Sequence, residues 1–513
     1  MSDVSAEPST FKESERNTHF HTEHLAKDLK ERSIRGGIVT LAAQVVKFVV
    51  TIGSTMVLAR LLTPTDFGLV AMVAPIAGFV SLFKDLGLSM ATVQRQEISH
   101  HQVSTLFWIN VGVSLALMVV LMVVSPVVGW FYGDMRVMWI TVASATTFLL
   151  GGLAAQHQAL IKRQMRFMAL MAVELGGLLI GVVVGIWTAW AGWSYWALVM
   201  MAIGTAVGHA VIAWILSGWR PGLPVKGSGV RPMLKFGGNL IGANVLWYLG
   251  VNIDRVLLGW SAGPVPVGLY SRAYGLLTMP LVHLNAPLAA VAVPAMSRAV
   301  VNPDKYRRAY LQVVERLALL TGPLIATLIV CSDWVIAIAL GNQWIEAAEI
   351  FAVLGFAGFV LPIRNSTSWL FVSQDRMQEH LYFHLVDVIL NVGSVAAGLP
   401  WGAEGVAYAV AIRAYVALPI LFFMAGRNGP VNTASLYRAL VLPGCVTVVV
   451  MLGMLMVKQL FLSDLYPILG LGAAMVFSVG ITTGCLIASK AGRRILTETW
   501  SDMRALKKRS ETR

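Results

Sequence analysis

Fourteen mostly apolar segments, each about long enough to cross a lipid bilayer, follow one another between residues 37 and 488. A membrane-spanning helix needs about 20 such residues. Because hydrocarbon offers no hydrogen-bond partner, each segment has to satisfy its own backbone, and this predicts an all-α polytopic membrane protein. The predicted spans are 37–58, 67–90, 104–128, 137–157, 168–190, 194–217, 234–258, 273–297, 311–339, 346–371, 380–400, 404–425, 437–461 and 466–488.

Charged residues are scarce between the two ends of the chain. Asp, Glu, Lys and Arg make up 13% of the 513 residues, against about 25% in soluble proteins. The segments 1–35 and 490–513 hold 24 of the 39 basic and 26 acidic residues. This distribution excludes a water-soluble enzyme. The net charge of +13 is therefore assigned to membrane topology, not to nucleic-acid binding.

Basic residues collect on alternate loops between the predicted spans. With the N-terminus inside, the cytoplasmic segments hold 30 of them, and the clearly external segments hold Arg60, Arg136 and Lys458. Positive charge favours the cytoplasmic side of a membrane protein. The bias predicts that both termini are cytoplasmic and that the number of spans is even.

An internal repeat relates the two halves of the chain. At an offset of 200 residues, Gly37, Ala43, Val45, Leu58, Pro64, Gly68 and Leu69 match Gly237, Ala243, Val245, Leu258, Pro264, Gly268 and Leu269. At an offset of 210, Gln164, Arg166, Leu175, Val182, Gly192 and Ala197 match Gln374, Arg376, Leu385, Val392, Gly402 and Ala407. The register places span 1 on span 7, which predicts two parallel six-helix lobes and two extra C-terminal helices. Such repeats are typical of transporters with alternating access, and chance similarity among apolar helices is the alternative.

This register predicts six parts in the chain. They are a cytoplasmic N-terminal tail at 1–35, an N-lobe of helices 1–6 at 36–217, a cytoplasmic linker at 218–233, a C-lobe of helices 7–12 at 234–426, helices 13 and 14 at 436–489, and a cytoplasmic basic tail at 490–513.

Polar side chains inside the spans follow single helix faces. Span 1 carries such a stripe at helical spacing, made of Thr40, Gln44, Lys47, Thr51 and Thr55. Its repeat partner, span 7, carries Asn244, Tyr248, Asn252 and Arg255. The first two helices of each lobe are therefore predicted to form the walls of a central cleft.

Basic residues outnumber acidic residues within the predicted membrane region. The six cations are Lys47, Lys84, Arg255, Arg272, Arg364 and Arg413, and the four acids are Asp85, Glu174, Asp254 and Asp387. Each charge at the middle of a bilayer costs about 3 kcal/mol or more, so it needs a cavity or a partner. Arg and Lys are the side chains that bind phosphate, which predicts an anionic, hydroxyl-rich substrate. The alternatives are arginines that extend to the interface and lysines paired with an acid on another helix.

The candidate substrate-binding residues are Lys47, Lys84, Arg255, Arg272, Arg364, Gln44, Asn244, Tyr248 and Asn252. The candidate ion-coupling residues are Asp85, Glu174, His384 and Asp387. His384 and Asp387 share a helix face, where they would relay protons, bind a cation or make a structural hydrogen bond.

The sequence predicts no catalytic residue, no cofactor and no metal site. It contains no GxxxxGK[ST] nucleotide-binding loop, and its three cysteines fall in apolar segments. The loops are too short for a catalytic domain, which disfavours a membrane polymerase or ligase. A cation-coupled small-molecule antiporter remains an alternative, although an excess of embedded cations does not suit cationic drugs.

Several motifs occur in an order that resembles a known family. They are Ala59-Arg-Leu-Leu-Thr-Pro-Thr-Asp-Phe-Gly-Leu-Val, Asp85-Leu-Gly-Leu-Ser, Lys162-Arg-Gln-Met-Arg-Phe, Asn252-Ile-Asp-Arg-Val-Leu-Leu-Gly and Gly268-Leu-Tyr-Ser-Arg-Ala. From about residue 33 to 430 the chain resembles bacterial lipopolysaccharide and exopolysaccharide exporters. These form the polysaccharide-transporter branch of the multidrug/oligosaccharidyl-lipid/polysaccharide exporter superfamily.

The resemblance implies a flippase in the bacterial inner membrane. It implies two six-helix lobes in a V shape, with helices 1, 2, 7 and 8 lining a cavity, and a substrate of undecaprenyl-diphosphate-linked oligosaccharide. The embedded cations would hold the diphosphate, and Gln44, Asn244, Asn252 and the tyrosines would contact sugar. Helices 13 and 14 would form a groove for the lipid tail. A polysaccharide polymerase and a chain-length regulator are the expected protein partners.

Overall fold

The structure is a computed structural model, and it describes residues 29–84, 88–95, 98–225, 248, 250–462 and 465–511. Within these ranges the regular secondary structure is helical. The chain divides into two compact units, residues 1–268 and 269–513.

The first unit contains eight helices among its described residues and the start of a ninth. They are α1 (Leu29–Leu61), α2 (Pro64–Ser81), α3 (Leu88–Gln94), α4 (His100–Tyr132), α5 (Met135–Arg163), α6 (Phe167–Trp190), α7 (Trp196–Ser217), α8 (250–262) and α9 (Pro264–Ala299).

The second unit begins within α9 and contains eight further helices among its described residues. They are α10 (Pro303–Val330), α11 (Ser332–Ala339), α12 (Ala347–Ser373), α13 (Met377–Gly398), α14 (Gly402–Arg427), α15 (Thr433–Val457), α16 (Pro467–Ala488) and α17 (Lys490–Glu511). Short turns of 3-10 helix at Asn342–Trp344 and Leu399–Trp401 and of π-helix at Lys458–Leu462 connect some of them.

Eleven segments among the described residues are long and apolar enough to cross a membrane. One of them, Met377–Arg427, contains both α13 and α14. The predicted spans fall on helical segments, although two of them are interrupted and 234–258 lies mostly outside the described residues. The prediction of an all-α multi-pass membrane protein is confirmed.

The outer faces of these helices are covered with large apolar side chains. Val123 is 71% exposed, Ile389 71% and Val476 73%. Such faces are unfavourable in water and suit the hydrocarbon of a bilayer. Exposed tryptophans lie near the ends of α4, α6, α8 and α13, at Trp130, Trp190, Trp260 and Trp401. Tryptophan is enriched at this level, where a span meets the membrane surface.

Two predicted spans are wrong as continuous helices. The span 67–90 is interrupted, since α2 ends at Ser81 and α3 begins at Leu88. The span 311–339 is interrupted at Cys331, where α10 ends and α11 begins. Length and hydropathy detect an apolar segment, but they carry no information about an internal break.

A lysine from a later helix end stabilises the second break. Lys458 Nζ donates to the carbonyl oxygen of Val330 at 2.8 Å and to Asp333 Oδ1 at 2.6 Å. It also lies 4.8 Å from the ring centroid of Trp334. The last carbonyl groups of a helix have no partner within the helix, and a cation is a favourable one. Lys458, which the sequence assigns to an external segment, therefore also caps the C-terminus of α10.

Backbone conformation supports the internal repeat. Met165 and Asp375, which are 210 residues apart, have φ angles of 53° and 56°, in the left-handed region that non-glycine residues rarely adopt. Gly192 and Gly402, at the same offset, have φ angles of 80° and 65°. Equivalent turns with equivalent strain argue against chance similarity between the two halves.

The motif at 59–70 forms a helix start and a close helix contact. Thr63 and Asp66 cap α2 reciprocally, with Thr63 N donating to Asp66 Oδ2 at 2.8 Å. A Cβ on Gly68 would lie 1.8 Å from the carbonyl oxygen of Pro264, and a Cβ on Gly268 would lie 2.1 Å from that of Pro64. The repeat-related starts of α2 and α9 thus contact each other reciprocally, and only glycine permits this distance.

We expect Gly68→Ala to destabilise the protein. The added methyl group meets backbone atoms that cannot rotate away, and overpacking of this kind costs about 1–3 kcal/mol. The thermal unfolding temperature of the purified protein in detergent should fall by several degrees. Gly112→Ala is the matched control, because nothing lies within 4 Å of its Cβ position. Equal unfolding temperatures for the two variants would contradict the contact.

Candidate functional site

The break between α2 and α3 lines a polar cavity in the first unit. This cavity has a volume of about 590 Å³. Its polar lining comes from the break and from α3, α5 and α7, namely Lys84, Ser89, Thr147, Gln158, Lys162, Thr205 and His209. Lys84, whose backbone is not helical, lies in this lining. Non-helical backbone within a membrane is tolerated where it lines a cavity.

Lys84 crosses over α5 at a glycine. A Cβ on Gly151 would lie 2.3 Å from Lys84 Nζ, so the glycine leaves room for the ammonium group in this position. From Gly151, α5 continues along the same cavity to Gln158 and Lys162. Lys84 and Lys162 therefore place two ammonium groups in the lining of one cavity. The neighbouring residue Asp85, a candidate for ion coupling, lies outside the described residues.

His209, in the lining of this cavity, also contacts Glu174, which forms an ion pair with Lys47. His209 Nε2 lies 3.3 Å from the carbonyl oxygen of Glu174, as an imidazole donor would. The imidazole fits because residue 177 is a glycine. A Cβ at this position would lie only 2.1 Å from His209 Cδ2. The close packing of α6 and α7 at this glycine thus positions both Glu174 and His209.

Lys47 and Glu174 form an ion pair between α1 and α6. Lys47 Nζ lies 3.5 Å from Glu174 Oε2, and the side chains are 43% and 40% exposed. The structure therefore brings together one candidate substrate-binding residue and one candidate ion-coupling residue. Because an exposed pair at this distance is weak, an incoming anion can compete for the lysine. Gln44, on the same helix, is exposed.

The stripe predicted on span 7 forms a hydrogen-bonded chain. Arg255 Nη1 donates to Asn252 Oδ1 at 3.0 Å, and Asn252 Nδ2 donates to the carbonyl oxygen of Tyr248 at 3.0 Å. The Tyr248 hydroxyl donates to the carbonyl oxygen of Ala74 at 3.3 Å. The guanidinium of Arg255 is thus oriented by its own helix. Asn244 lies outside the described residues.

The candidate residues of the second unit form a different cluster. Arg364 Nη2 donates to Asp387 Oδ2 at 2.6 Å, and Arg413 Nη1 donates to Asp387 Oδ1. His384 makes ring contacts with His380, at 4.4 Å between centroids, and with Phe383. Asp387 is therefore a counterion of two arginines, and both of its carboxylate oxygens are engaged. Arg272, on α9, is half-buried.

Six polar residues of the first cavity are not among the predicted site residues, namely Ser89, Thr147, Gln158, Lys162, Thr205 and His209. Of these, Lys162 is predicted from the sequence to lie in a cytoplasmic loop. A stripe on span 4, from Thr147 through Gln158 to Lys162, was available as a signal at helical spacing. His209 had no such signal, since its role depends on the packing of α6 against α7.

Among the described residues, no group of three His, Cys, Asp or Glu side chains is placed to hold a metal ion.

These features define a multi-pass α-helical membrane protein with a cationic cavity inside a helix bundle. A family described as polysaccharide biosynthesis protein matches residues 57–349, which is more than half of the chain. The chain belongs to this family.

Individual proteins resemble the chain over most of its length. The teichuronic acid biosynthesis protein TuaB of Bacillus subtilis (strain 168) is 24% identical over 383 residues, which are 72% of this chain and 77% of TuaB. The lipopolysaccharide biosynthesis protein WzxC of Escherichia coli (strain K12) is 24% identical over 376 residues, 72% of this chain and 76% of WzxC.

A solved structure shares the fold. The lipid II flippase MurJ, in its inward closed conformation, superposes with a TM-score of 0.68 at 14% identity, over 88% of this chain and 100% of MurJ. At this identity the likeness concerns the fold alone.

We expect the cavity at Lys84 and Lys162 to contain water. In a background with Cys331, Cys445 and Cys485 replaced, Lys84→Cys and Lys162→Cys should react rapidly with a charged methanethiosulfonate reagent. Leu160→Cys is the matched control, since Leu160 lies on the same helix and is 1% exposed. If the cysteines at positions 84 and 162 react as slowly as the cysteine at position 160, the cavity is closed to water.

Proposed function

We propose that this protein is a flippase that moves undecaprenyl-diphosphate-linked oligosaccharide repeat units across the bacterial inner membrane. The polymer would be a surface polysaccharide, and the mechanism would be alternating access without covalent chemistry. Both termini would lie in the cytoplasm. A polysaccharide polymerase and a chain-length regulator would be its partners in assembly.

The cavity with two ammonium groups in its lining is the observation that carries this proposal. A diphosphate is a compact anion, and moving it through hydrocarbon without compensation is costly. Lys84 and Lys162 lie in the lining of a cavity of about 590 Å³, within the range of small-ligand sites. This volume suits a diphosphate with its first sugar, and the rest of the oligosaccharide and the lipid would extend outside.

Lys47 would supply a further positive charge by exchange. In the structure its partner is Glu174, at 3.5 Å. A diphosphate that approached Lys47 would replace this carboxylate, and Glu174 would then be free to take up a proton or another cation. This exchange would link substrate binding to an ion, in the role expected for Glu174.

The polar chain on α8 would serve the sugar or the second phosphate. Arg255 is held by Asn252, so its guanidinium is oriented before a ligand arrives. Amide and hydroxyl groups such as those of Asn252, Tyr248 and Gln44 match the hydroxyl groups of a sugar.

We expect Lys47→Ala, Lys84→Ala and Arg255→Ala each to reduce polysaccharide export about tenfold or more. Loss of a charge-assisted hydrogen bond costs about 1.5–3 kcal/mol, which corresponds to such a factor. Export is measured as surface polymer in a strain that lacks the chromosomal copy, at equal amounts of protein in the membrane. Arg307→Ala is the control, because Arg307 is paired with Asp304 on the surface. Full export by all three variants would refute the assignment of these residues.

The position of the lipid-linked intermediate tests the function itself. A flippase that fails leaves radiolabelled lipid-linked oligosaccharide on the cytoplasmic face. A failed polymerase would leave the repeat units already on the outer face, and a small-molecule antiporter would leave no accumulation.

A further inference from the structure

The cluster of Arg364, Asp387 and Arg413 in the second unit carries more positive than negative charge. It joins three helices, because Arg364 lies on α12, Asp387 on α13 and Arg413 on α14. Arginine stays protonated in proteins, so two guanidinium groups share one carboxylate. Within the described part of the chain, no second carboxylate lies within salt-bridge distance of either arginine. The cluster therefore has an excess of one positive charge.

This excess charge lies in a poorly solvated place. The side chain of Asp387 is 9% exposed and that of Arg413 is 11% exposed. Arg413 Nε is buried and has no hydrogen-bond acceptor among the described residues. A buried charge without compensation is strongly unfavourable, and a buried N–H without an acceptor adds to the cost. Both deficits would be removed by one small anion.

A cavity of suitable size adjoins both arginines. Its volume is about 60 Å³, and its lining includes Arg364 and Arg413 together with Tyr274 and Thr278. A water molecule occupies about 30 Å³ in the liquid, so the cavity has room for an anion of the size of chloride. The remaining lining is apolar, with Leu277 and Leu354 among its members. A sugar or a nucleotide would not fit.

We propose that this cavity binds a single monovalent inorganic anion of the size of chloride. Arg364 and Arg413 would bind the ion, and Asp387 would hold the two arginines in place as their shared counterion. The site differs from the proposed diphosphate site, which lies in the first unit, and the proposal does not rest on the proposed function. It also changes the role expected for Asp387 from a ligand of a coupling cation to a counterion.

The test compares the thermal unfolding temperature of the purified full-length protein in sodium chloride and in sodium gluconate at equal concentration. Ligands that bind only the folded state stabilise it. The unfolding temperature should be about 2 °C or more higher in chloride. Arg413→Gln and Arg364→Gln should lose this difference, and Arg307→Gln, at an exposed ion pair, should retain it.

Asp387→Asn distinguishes ion binding from general damage to the cluster. This variant keeps both arginines and removes the competing carboxylate, so its chloride effect should be at least as large as that of the parent. A parent without a chloride effect would overturn the proposal, and so would an undiminished effect in Arg413→Gln or a lost effect in Asp387→Asn.

Crystals of the parent soaked in bromide give a test that does not depend on folding of the variants. An anomalous peak beside the guanidinium of Arg413 would support the site, and ordered bromide elsewhere with none at Arg413 would overturn it.

Discussion

Hydrocarbon supplies neither hydrogen bonds nor solvation for charge, and this constraint governs both the helices and their interruptions. Each uninterrupted span satisfies its backbone within the helix. Where a helix is interrupted, something else has to replace the lost partners. At Val330 the replacement is the ammonium group of Lys458. At the end of α2 the chain opens onto a polar cavity, with Lys84 in its lining. The interruptions therefore mark the places where polar chemistry enters the bundle.

The internal repeat places a second constraint on the fold, at the level of the backbone. The left-handed residues Met165 and Asp375 form equivalent turns. In both turns the arginine that follows donates to a glutamine two residues earlier, at 3.5 Å from Arg166 to Gln164 and at 3.3 Å from Arg376 to Gln374. The motif that begins at Lys162 and resembles a family signature thus forms a specific turn. The cavity-lining residues Lys84 and His209 are not among the matched repeat positions, so the two halves share a scaffold and differ in their polar sites.

The sequence predicts most of the fold because length and hydropathy are local properties. Spans such as 168–190 and 466–488 coincide with α6 and α16 almost to the residue. The sites are harder to predict because their contacts join distant parts of the chain. The polar stripe on span 1 identifies Lys47, but its partner Glu174 is 127 residues away. The spacing of three residues predicts His384 and Asp387 as neighbours on one face, whereas Asp387 pairs with arginines of two other helices. Hydropathy could not predict the break beside Lys84, because it averages over a window.

The two charged clusters differ in a property that bears on their tasks. Lys47 and Glu174 are separated by 3.5 Å and remain about 40% exposed, so breaking their contact costs little. The side chains of Asp387, Arg413 and Arg364 are only 9%, 11% and 23% exposed and make direct ion pairs, and removing one member of such a buried cluster is strongly destabilising. A pair that is to exchange partners during each transport cycle has to be weak and accessible. A cluster that holds three helices together has to be strong and enclosed. Charge in the first unit therefore suits a transient ligand, and charge in the second unit suits a resident one.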